Sequence, residues 1–323
     1  MTQLLVLGAG PMAAEYVRVL KALGVHFVVV GRGAASAARL RDRFHVEVRT
    51  GGLDQYLSCA SAPFAAILAV PVEYLASTTQ SLAHAGTKRI LVEKPGSLNT
   101  DELRGLMLAT SDTRTQVWIA YNRRFLQSTL VARDLVKEDG GVTSFSFEFS
   151  EWVDKVVEAP ASPHVKETWV VANSSHVIDL AFYLGGAPTE LASWTRGSLS
   201  WHRTGDRFAG AGLTDSGALF SYRSDWLSPG RWRVEIGTRN RRILLSPLET
   251  LQQMVHGSLE FEAVRIDDDV DRNFKPGLFH QTSAFLQGPS DDLCTLEQQL
   301  ERMHMYEQIA GYASTRPNAN IAD

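Results

Sequence analysis

Short apolar runs alternate with longer stretches of helical apolar spacing along the first 120 residues. The runs that predict strands are Leu4–Leu7, Phe27–Val30, Val46–Val48, Phe64–Val70, Arg89–Val92 and Gln116–Ala120. The stretches that predict helices are Ala13–Leu23, Ala34–Phe44, Tyr74–Ala85 and Asp101–Ala109, the last with Thr100 as its N-cap. Wholly apolar strands, most of them followed by a helix, are typical of a parallel sheet covered on both faces. Right-handed crossovers then make it a doubly wound sheet.

A different pattern begins after residue 120. Ser144–Ser150 alternates strictly between phenylalanine and polar residues, which indicates a half-buried strand of an antiparallel sheet. A hairpin is predicted from Trp232–Ile236 and Arg242–Leu245, and a helix over Val177–Leu184 ends at a glycine pair. Weaker patterns predict a strand over Gly217–Arg223, a helical tail over Leu293–Ala313 and an ordered loop or lid over Glu151–Lys166.

These patterns predict an α/β fold class with two domains. Residues 1–120 form a doubly wound parallel sheet. Residues 121–323 form an α+β domain with a largely antiparallel open sheet, and its C-terminal helix can pack back on the first domain.

The sharpest local signal is a glycine-rich turn, Gly8-Ala9-Gly10-Pro11-Met12-Ala13, between the first strand and the first helix. In this G-x-G-x-x-A pattern Gly8 permits the tight turn, and Gly10 lets the backbone approach a pyrophosphate. Ala13 lets the helix pack closely on the strand, and Pro11 and Met12 open that helix. The same pattern also occurs in purely structural turns and in flavin sites, so its position at the start of a strand–helix unit favours a nicotinamide dinucleotide.

The end of the second strand bears on the choice of cofactor. It reads Gly31-Arg32-Gly33, without the acidic residue that accepts hydrogen bonds from the ribose of NAD. Arg32, together with Ser36, therefore predicts a preference for NADP(H), the alternative being a solvated surface arginine. Residues at the ends of later strands are also assigned to the cofactor site, namely Val70, Pro71, Glu93 and Lys94.

Two groups of residues suggest acid–base chemistry. Lys94 follows the fifth predicted strand, at the sheet edge where doubly wound folds bind their ligands. His176 and Asp179 are three residues apart, so a helix places them on one face. A lysine there can contact both the cofactor ribose and the substrate, and His176 and Asp179 can both point into a cleft while the apolar residues after them pack inward. Taken singly, each group also fits a solvated charge, an ion pair or a helix cap.

Composition excludes several classes of protein. The net charge is −4 and the pI is about 6.2, which gives no electrostatic case for nucleic acid or an anionic membrane as partner. No stretch approaches the roughly 20 apolar residues of a membrane span, and the apolar N-terminus lacks the basic residues of a signal peptide. Cys59 and Cys294 form neither a disulfide framework nor a metal cluster, so we predict a cytoplasmic protein without a metal site.

Together these motifs resemble the glucose–fructose oxidoreductase / inositol dehydrogenase family (Gfo/Idh/MocA). The glycine turn, Glu93-Lys94-Pro95, Tyr121-Asn122-Arg123-Arg124-Phe125 and the His176–Asp179 pair stand in the order typical of that family. The resemblance implies a Rossmann domain followed by a domain whose open sheet makes homodimer or homotetramer contacts. It also implies that these three residues are catalytic: Lys94 lies near the nicotinamide and stabilises the reacting oxygen of the substrate, His176 donates or accepts a proton, and Asp179 orients the imidazole or binds a sugar hydroxyl. The substrate site would contain Tyr121, Asn122, Arg124, Trp169 and Asn173.

The resemblance also implies the reaction. It is hydride transfer between a nicotinamide and a carbinol or ketone carbon of a sugar, cyclitol or nucleotide-linked keto sugar. The sequence departs from the family at Ala172, where an acidic or amide residue is usual, and in Glu167–Val171, where two glycines are usual. Alternatives are a reductase of a tetrapyrrole, imine or diol, an oxidative glycosidase, and a non-catalytic dinucleotide-sensing regulator.

Overall fold

The computed structural model describes residues 4–312, and its backbone forms two β-sheets flanked by helices. The strands of the first sheet are β1 (Leu4–Leu7), β2 (Phe27–Val30), β3 (Val48–Arg49), β4 (Ala65–Leu68), β5 (Arg89–Glu93), β6 (Gln116–Ala120) and β15 (Cys294–Thr295). Their spatial order is β3-β2-β1-β4-β5-β6-β15, and all neighbouring strands are parallel except β15, which runs antiparallel to β6. The predicted doubly wound sheet is confirmed.

Helices connect the strands of this sheet. They are α1 (Pro11–Ala22), α2 (Ala34–Phe44), α3 (Gly52–Cys59), α4 (Leu75–Ala85) and α5 (Thr100–Thr113). The sequence pattern did not predict α3, which has only eight residues. The predicted N-cap of α5 was wrong by one residue: the side chain of Asn99, not Thr100, accepts the hydrogen bond from the backbone N–H of Glu102 at 2.9 Å.

The second sheet is built from residues after 143. Its strands are β7 (Ser144–Glu148), β8 (Pro188–Arg196), β9 (Arg207–Thr214), β10 (Leu219–Asp225), β11 (Arg233–Gly237), β12 (Arg241–Leu245), β13 (Gln252–Val255) and β14 (Glu262–Ala263). The spatial order is β14-β13-β12-β11-β7-β10-β9-β8. Only β7 and β10 pair in parallel, so the sheet is largely antiparallel, and the predicted β11–β12 hairpin is present.

The remaining helices cover the second sheet and return to the first. They are α6 (Gln127–Glu138), α7 (Val153–Glu158), α8 (Pro163–Glu167), α9 (Ser175–Gly185), α10 (Asp269–Asn273), α11 (Leu278–Gln287) and α12 (Leu296–Ala310). Glu151–Lys166 was predicted as an ordered loop or lid, and the loop assignment was wrong because the segment contains α7 and most of α8. Helices of six and five residues are too short to show a hydrophobic period. Among the described residues, no helix is both long and apolar enough to cross a membrane.

Helix α9 packs on the inner face of the second sheet through Phe182. Its ring centroid lies 5.5 Å from that of Phe145, 5.6 Å from that of Phe147 and 5.0 Å from that of Phe220. The alternation in β7 therefore places its phenylalanines towards α9, as the sequence pattern predicted. This aromatic layer fixes α9, the helix that begins at the candidate catalytic histidine, relative to the sheet.

The chain crosses back to the first sheet near its C-terminus. Strand β15 adds to the edge of β6, and Phe285 of α11 packs edge-on against Trp118 of β6 at 5.9 Å. Thr100 at the start of α5 donates a hydrogen bond of 2.7 Å to Glu307 of α12. Residues 278–310 thus contribute to both halves of the molecule, and a domain boundary at residue 120 stays a prediction.

The aromatic layer under α9 leads to a stability prediction. We expect Phe182→Ala to lower the free energy of unfolding by about 3–5 kcal/mol, because it removes a buried ring and leaves a cavity. Urea unfolding followed by circular dichroism measures the change. Leu259→Ala is the control, since Leu259 is 94% exposed and should change stability by less than about 0.5 kcal/mol. A loss below about 1 kcal/mol for Phe182→Ala would show that the layer can relax around the vacancy.

Candidate active site

The glycine-rich turn is shaped by contacts that exclude side chains. Gly8 has φ +123°, and a Cβ there would lie 2.2 Å from the carbonyl oxygen of Ala69. Its N–H donates to the carbonyl of Val30 at 2.8 Å, which fixes the turn between β1, β2 and β4. A Cβ on Gly10, by contrast, would meet nothing within 4 Å, so this residue borders open space. Ala13 is fully buried where α1 packs against the sheet.

A cavity of about 590 Å³ opens beside this turn, at the carboxyl ends of the parallel strands. Its lining includes six of the residues assigned to the cofactor from the sequence: Gly8, Gly10, Arg32, Ser36, Val70 and Pro71. Pro11 and Met12 instead border a neighbouring shallow cleft together with Lys275. The lining also includes residues that the sequence pattern did not indicate, namely Asp54, Tyr74, Ser77, Thr78 and Ser81.

Arg32 lies at one end of the cavity. Its guanidinium carbon is 4.6 Å from the ring centroid of Tyr74, so the cation stacks on an aromatic face that is itself partly exposed. Ser36 donates from its Oγ to the carbonyl of Gly33 at 3.0 Å. Asp54, in the first turn of α3, borders the same cavity, so a cation and a carboxylate both face this end.

Glu93 is the last residue of β5 and Lys94 follows it, and the two side chains are held by different partners. The hydroxyl of Tyr16 donates to Glu93 Oε1 at 2.7 Å, and burial raises the pKa of Glu93. The Nζ of Lys94 donates to the carbonyl oxygen of Ala172, in a π-helical turn over Val170–Ser174 that directly precedes α9. Burial lowers the pKa of Lys94 to about 8. Lys94 therefore joins the first sheet to the segment that leads into the second.

His176 lies beyond Lys94 and is enclosed by aromatic rings. Its ring centroid is 6.0 Å from that of Tyr121 and 5.8 Å from that of Trp232, and its Nδ1 has no hydrogen-bond partner among the described residues. Burial holds the pKa of His176 well below its usual value, and the charges of Lys94, Arg123 and Lys275 lower it further. The imidazole is therefore neutral around pH 7 and able to accept a proton.

Asp179 is not paired with His176, in contrast to the sequence-based expectation. Its carboxylate accepts hydrogen bonds from Arg124 Nε at 2.8 Å and Arg124 Nη2 at 2.7 Å, and it also accepts one from Arg302. Arg124 and Asp179 are both buried, which differs from the expectation that Arg124 lines a substrate cleft. The physical reason is that an ionised carboxylate with no access to water requires cationic partners.

The other predicted substrate residues lie in varied surroundings. Tyr121 is buried beside His176, whereas Asn122 donates from its Nδ2 to the carbonyl of Pro276 at 2.8 Å and holds the loop before α11. Trp169 packs, partly buried, with Leu98 and its neighbours. Of this set, Tyr121 directly contacts His176.

Glu151 is a site residue that the sequence pattern did not indicate. Its carboxylate is buried and accepts hydrogen bonds from Asn173 Nδ2 at 3.0 Å, Ser174 Oγ at 2.7 Å and Trp232 Nε1 at 3.2 Å. Arg231 pairs with it at 3.1 Å. The only sequence signal for Glu151 is its position directly after the alternating stretch Ser144–Ser150. Its hydrogen-bond partners are distant in sequence, so this signal does not reveal them.

Arg123 is the second residue that was missed. Within Tyr121-Asn122-Arg123-Arg124-Phe125, the predicted substrate residues were the neighbours of Arg123. The charge of Arg123, and not that of Arg124, lowers the pKa of His176. Its guanidinium pairs with Glu249 at 2.9 Å, while its Nε has no partner within the described chain. Over residues 4–312, no group of three or more histidine, cysteine or acidic side chains could hold a metal ion.

Comparison with known proteins extends this description. No family model matches the chain. Inositol 2-dehydrogenase of Rhizobium meliloti (strain 1021) is 26% identical over 162 residues, which is 49% of this chain and 47% of that protein. The matched region thus spans about half of each protein.

Solved structures match over nearly the whole chain. Levoglucosan dehydrogenase in complex with NADH is 17% identical, with a TM-score of 0.78 and 96% of each chain covered. UDP-N-acetylglucosamine 3-dehydrogenase GnnA from Acidithiobacillus ferrooxidans is 16% identical, with a TM-score of 0.75 and 96% of each chain covered. An NAD binding oxidoreductase from Klebsiella pneumoniae is 14% identical, with a TM-score of 0.76 and the same coverage. The chain is thus similar to inositol 2-dehydrogenase over about half of its length, and it shares the fold of these solved oxidoreductase structures.

Proposed function

We propose that this protein is an NAD(P)-dependent oxidoreductase. It transfers a hydride between C4 of the nicotinamide and a carbinol or ketone carbon of a sugar, cyclitol or nucleotide-linked keto sugar. The observation that carries the proposal is the placement of the partly buried Lys94 at the carboxyl ends of the parallel strands that line the glycine-rich cavity, with the partly buried His176 close enough for the charge of Lys94 to lower its pKa. The substrate class is drawn from the inositol, levoglucosan and UDP-N-acetylglucosamine dehydrogenases to which the chain is similar.

The cavity fits a dinucleotide. The Gly8–Ala13 turn would hold the pyrophosphate at the N-terminus of α1, where free backbone N–H groups and the helix dipole favour anions. Val70 and Pro71 would line the path towards the nicotinamide, and Arg32 and Ser36 would face the adenosine ribose. When bound, this cofactor accepts or supplies the hydride.

The protein's own groups handle charge and one proton. In the oxidative direction His176 takes the proton of the substrate hydroxyl; protein encloses Nδ1, which leaves Nε2 for the substrate. Lys94, held by the carbonyl of Ala172, places an ammonium group beside the same oxygen and stabilises its negative charge. In the reductive direction His176 returns the proton to this oxygen, while Lys94 stabilises the same negative charge as it develops. Asp179 acts indirectly, because its pairs with Arg124 and Arg302 hold the helix that carries His176.

The wider setting is also part of the proposal. A small-molecule substrate, a cytoplasmic location and a homodimer or homotetramer fit the resemblance. The outer face of the second sheet would form the contact, because Trp194 and Leu219 are exposed on its strands.

The catalytic assignment makes a direct prediction. We expect Lys94→Ala and His176→Ala each to lower kcat at least about 100-fold, because each removes a positioned charge or proton-transfer group. Steady-state kinetics on inositol, levoglucosan and UDP-N-acetylglucosamine measure the change, and titration calorimetry checks that dinucleotide binding is retained. Lys88→Ala and His84→Ala are matched exposed controls. The assignment fails if both site variants keep near-wild-type turnover.

The pKa of Lys94 predicts the pH dependence. The ammonium form is the active one, so kcat/KM at saturating dinucleotide should fall as pH rises through about 8, where Lys94 loses its proton. Because the pKa of His176 lies well below its usual value, we expect no loss of activity from protonation of the imidazole between pH 7 and pH 6. Lys94→Arg should move the alkaline fall to higher pH, because a guanidinium stays charged. A profile that declines on the acid side near pH 6.5 would contradict this assignment.

Arg32 predicts the choice of cofactor. We propose a preference for NADPH over NADH, since the stacked guanidinium faces the end of the cavity where a 2′-phosphate would lie. Arg32→Ala should weaken NADPH binding about tenfold or more, the size of a charge-assisted hydrogen bond, and leave NADH binding nearly unchanged. Calorimetry with both cofactors tests this, with Arg39→Ala as the exposed control. A tenfold higher kcat/KM with NADH than with NADPH would make Asp54 the deciding residue instead.

A further inference from the structure

A stack of side chains leads from His176 to the protein surface. The ring of Trp232 lies 5.8 Å from the imidazole of His176. The guanidinium carbon of Arg231 lies 4.7 Å from the ring centroid of Trp232 and 5.2 Å from that of Trp152. Trp232 is 7% exposed and Trp152 is 55% exposed, so the stack begins in the interior and ends in solvent.

The outer end of this stack is held in place. The indole N–H of Trp152 donates to the carbonyl of Gly230 at 3.0 Å. Arg231 pairs with Glu151, whose side chain is only 3% exposed and which also accepts from the indole of Trp232. The ring of Trp152 is therefore held in a fixed position, with the guanidinium of Arg231 against it and more than half of its surface open to solvent.

The chemistry of the outer end favours an anion joined to a ring. One Nη of Arg231 donates to the carboxylate of Glu151. Its other guanidinium N–H groups have no partner among the described residues, and 46% of the side chain is exposed. A guanidinium binds phosphate and carboxylate oxygens through paired N–H groups. Burial lowers the pKa of Arg123; the charge of Glu249 raises it and that of Arg231 lowers it, so two guanidinium groups lie near each other at this place. The open face of Trp152 can stack on a planar or saccharide ring.

We propose that Trp152 and Arg231 form an outer subsite for the part of the substrate that is not oxidised. This inference rests on the proposed function and narrows its substrate class. A single sugar ring beside His176 would not reach Trp152 across two intervening side chains, so the substrate carries an extension. That extension holds an anionic group, which binds Arg231, and a ring, which stacks on Trp152. A sugar linked to a nucleoside diphosphate and an acidic glycoside both have this chemistry.

Binding experiments on the intact protein distinguish the two sources. The protein is first saturated with NADPH or NADH, so that nucleotide probes cannot enter the cofactor cavity. UDP, methyl β-D-glucuronide and the uncharged methyl β-D-glucoside are then titrated by calorimetry. The variants are Trp152→Ala, Trp152→Phe and Arg231→Gln. Phe64→Ala is the matched control, because Phe64 is 45% exposed and directly precedes β4, at the edge of the first sheet opposite the carboxyl ends of its strands.

We expect UDP or the glucuronide to bind the wild type at least tenfold more tightly than the glucoside, and whichever anion binds identifies its source. Trp152→Ala and Arg231→Gln should each weaken that binding about tenfold, Trp152→Phe should restore most of it, and Phe64→Ala should leave it unchanged. Affinity for NADPH or NADH should stay the same in all variants. If no dinucleotide binds at all, the proposed function fails before the subsite is tested.

Three results would overturn the subsite itself while leaving the proposed function in place. The first is no binding of either anion to the cofactor-saturated protein at millimolar concentration. The second is equal binding to wild type and to the Trp152 and Arg231 variants. The third is a change of oligomeric state in Trp152→Ala, measured by sedimentation, which would assign this surface to contact between copies of the chain.

Discussion

The buried carboxylate of Asp179 is the constraint around which the two halves of this molecule are arranged. It lies on α9 and is held by Arg124, from the turn after β6, and by Arg302 of α12. An unpaired charge at this depth would be very costly, so the three elements that supply the group and its partners must meet at one place. That place is the junction between the first sheet, the second sheet and the returning C-terminal helix.

Charge placement also explains how the candidate site differs from a simple histidine–carboxylate pair. Because the carboxylate of Asp179 accepts its hydrogen bonds from arginines, the imidazole of His176 is surrounded by cations and aromatic rings instead of a carboxylate. These neighbours favour the neutral ring, which suits a proton acceptor. The nearby carboxylate of Glu151 is committed to Asn173, Ser174, Trp232 and Arg231, so it organises the walls of the site.

Much of the fold follows from local sequence patterns, whereas the site follows only in part. The glycine turn and the strand-end position of Lys94 depend on short stretches of backbone, and both were predictable. It was not predictable that Arg124 would pair with Asp179 in the interior while Arg123 would lie closer to His176. Adjacent residues in a short turn point in different directions, and only tertiary contacts decide which residue points where. Glu151 escaped for the same reason, since its partners are more than 20 residues away in sequence. Helices α7 and α8 are too short for periodicity to reveal.

The returning strand β15 has a consequence for dividing the protein. It supplies the antiparallel neighbour of β6, and Phe285 shields Trp118 on that strand. A fragment ending at residue 120 would lose both, leaving a row of free N–H and C=O groups beside an uncovered indole. Cutting the chain at residue 120 would therefore yield an aggregation-prone sheet instead of an independently stable domain.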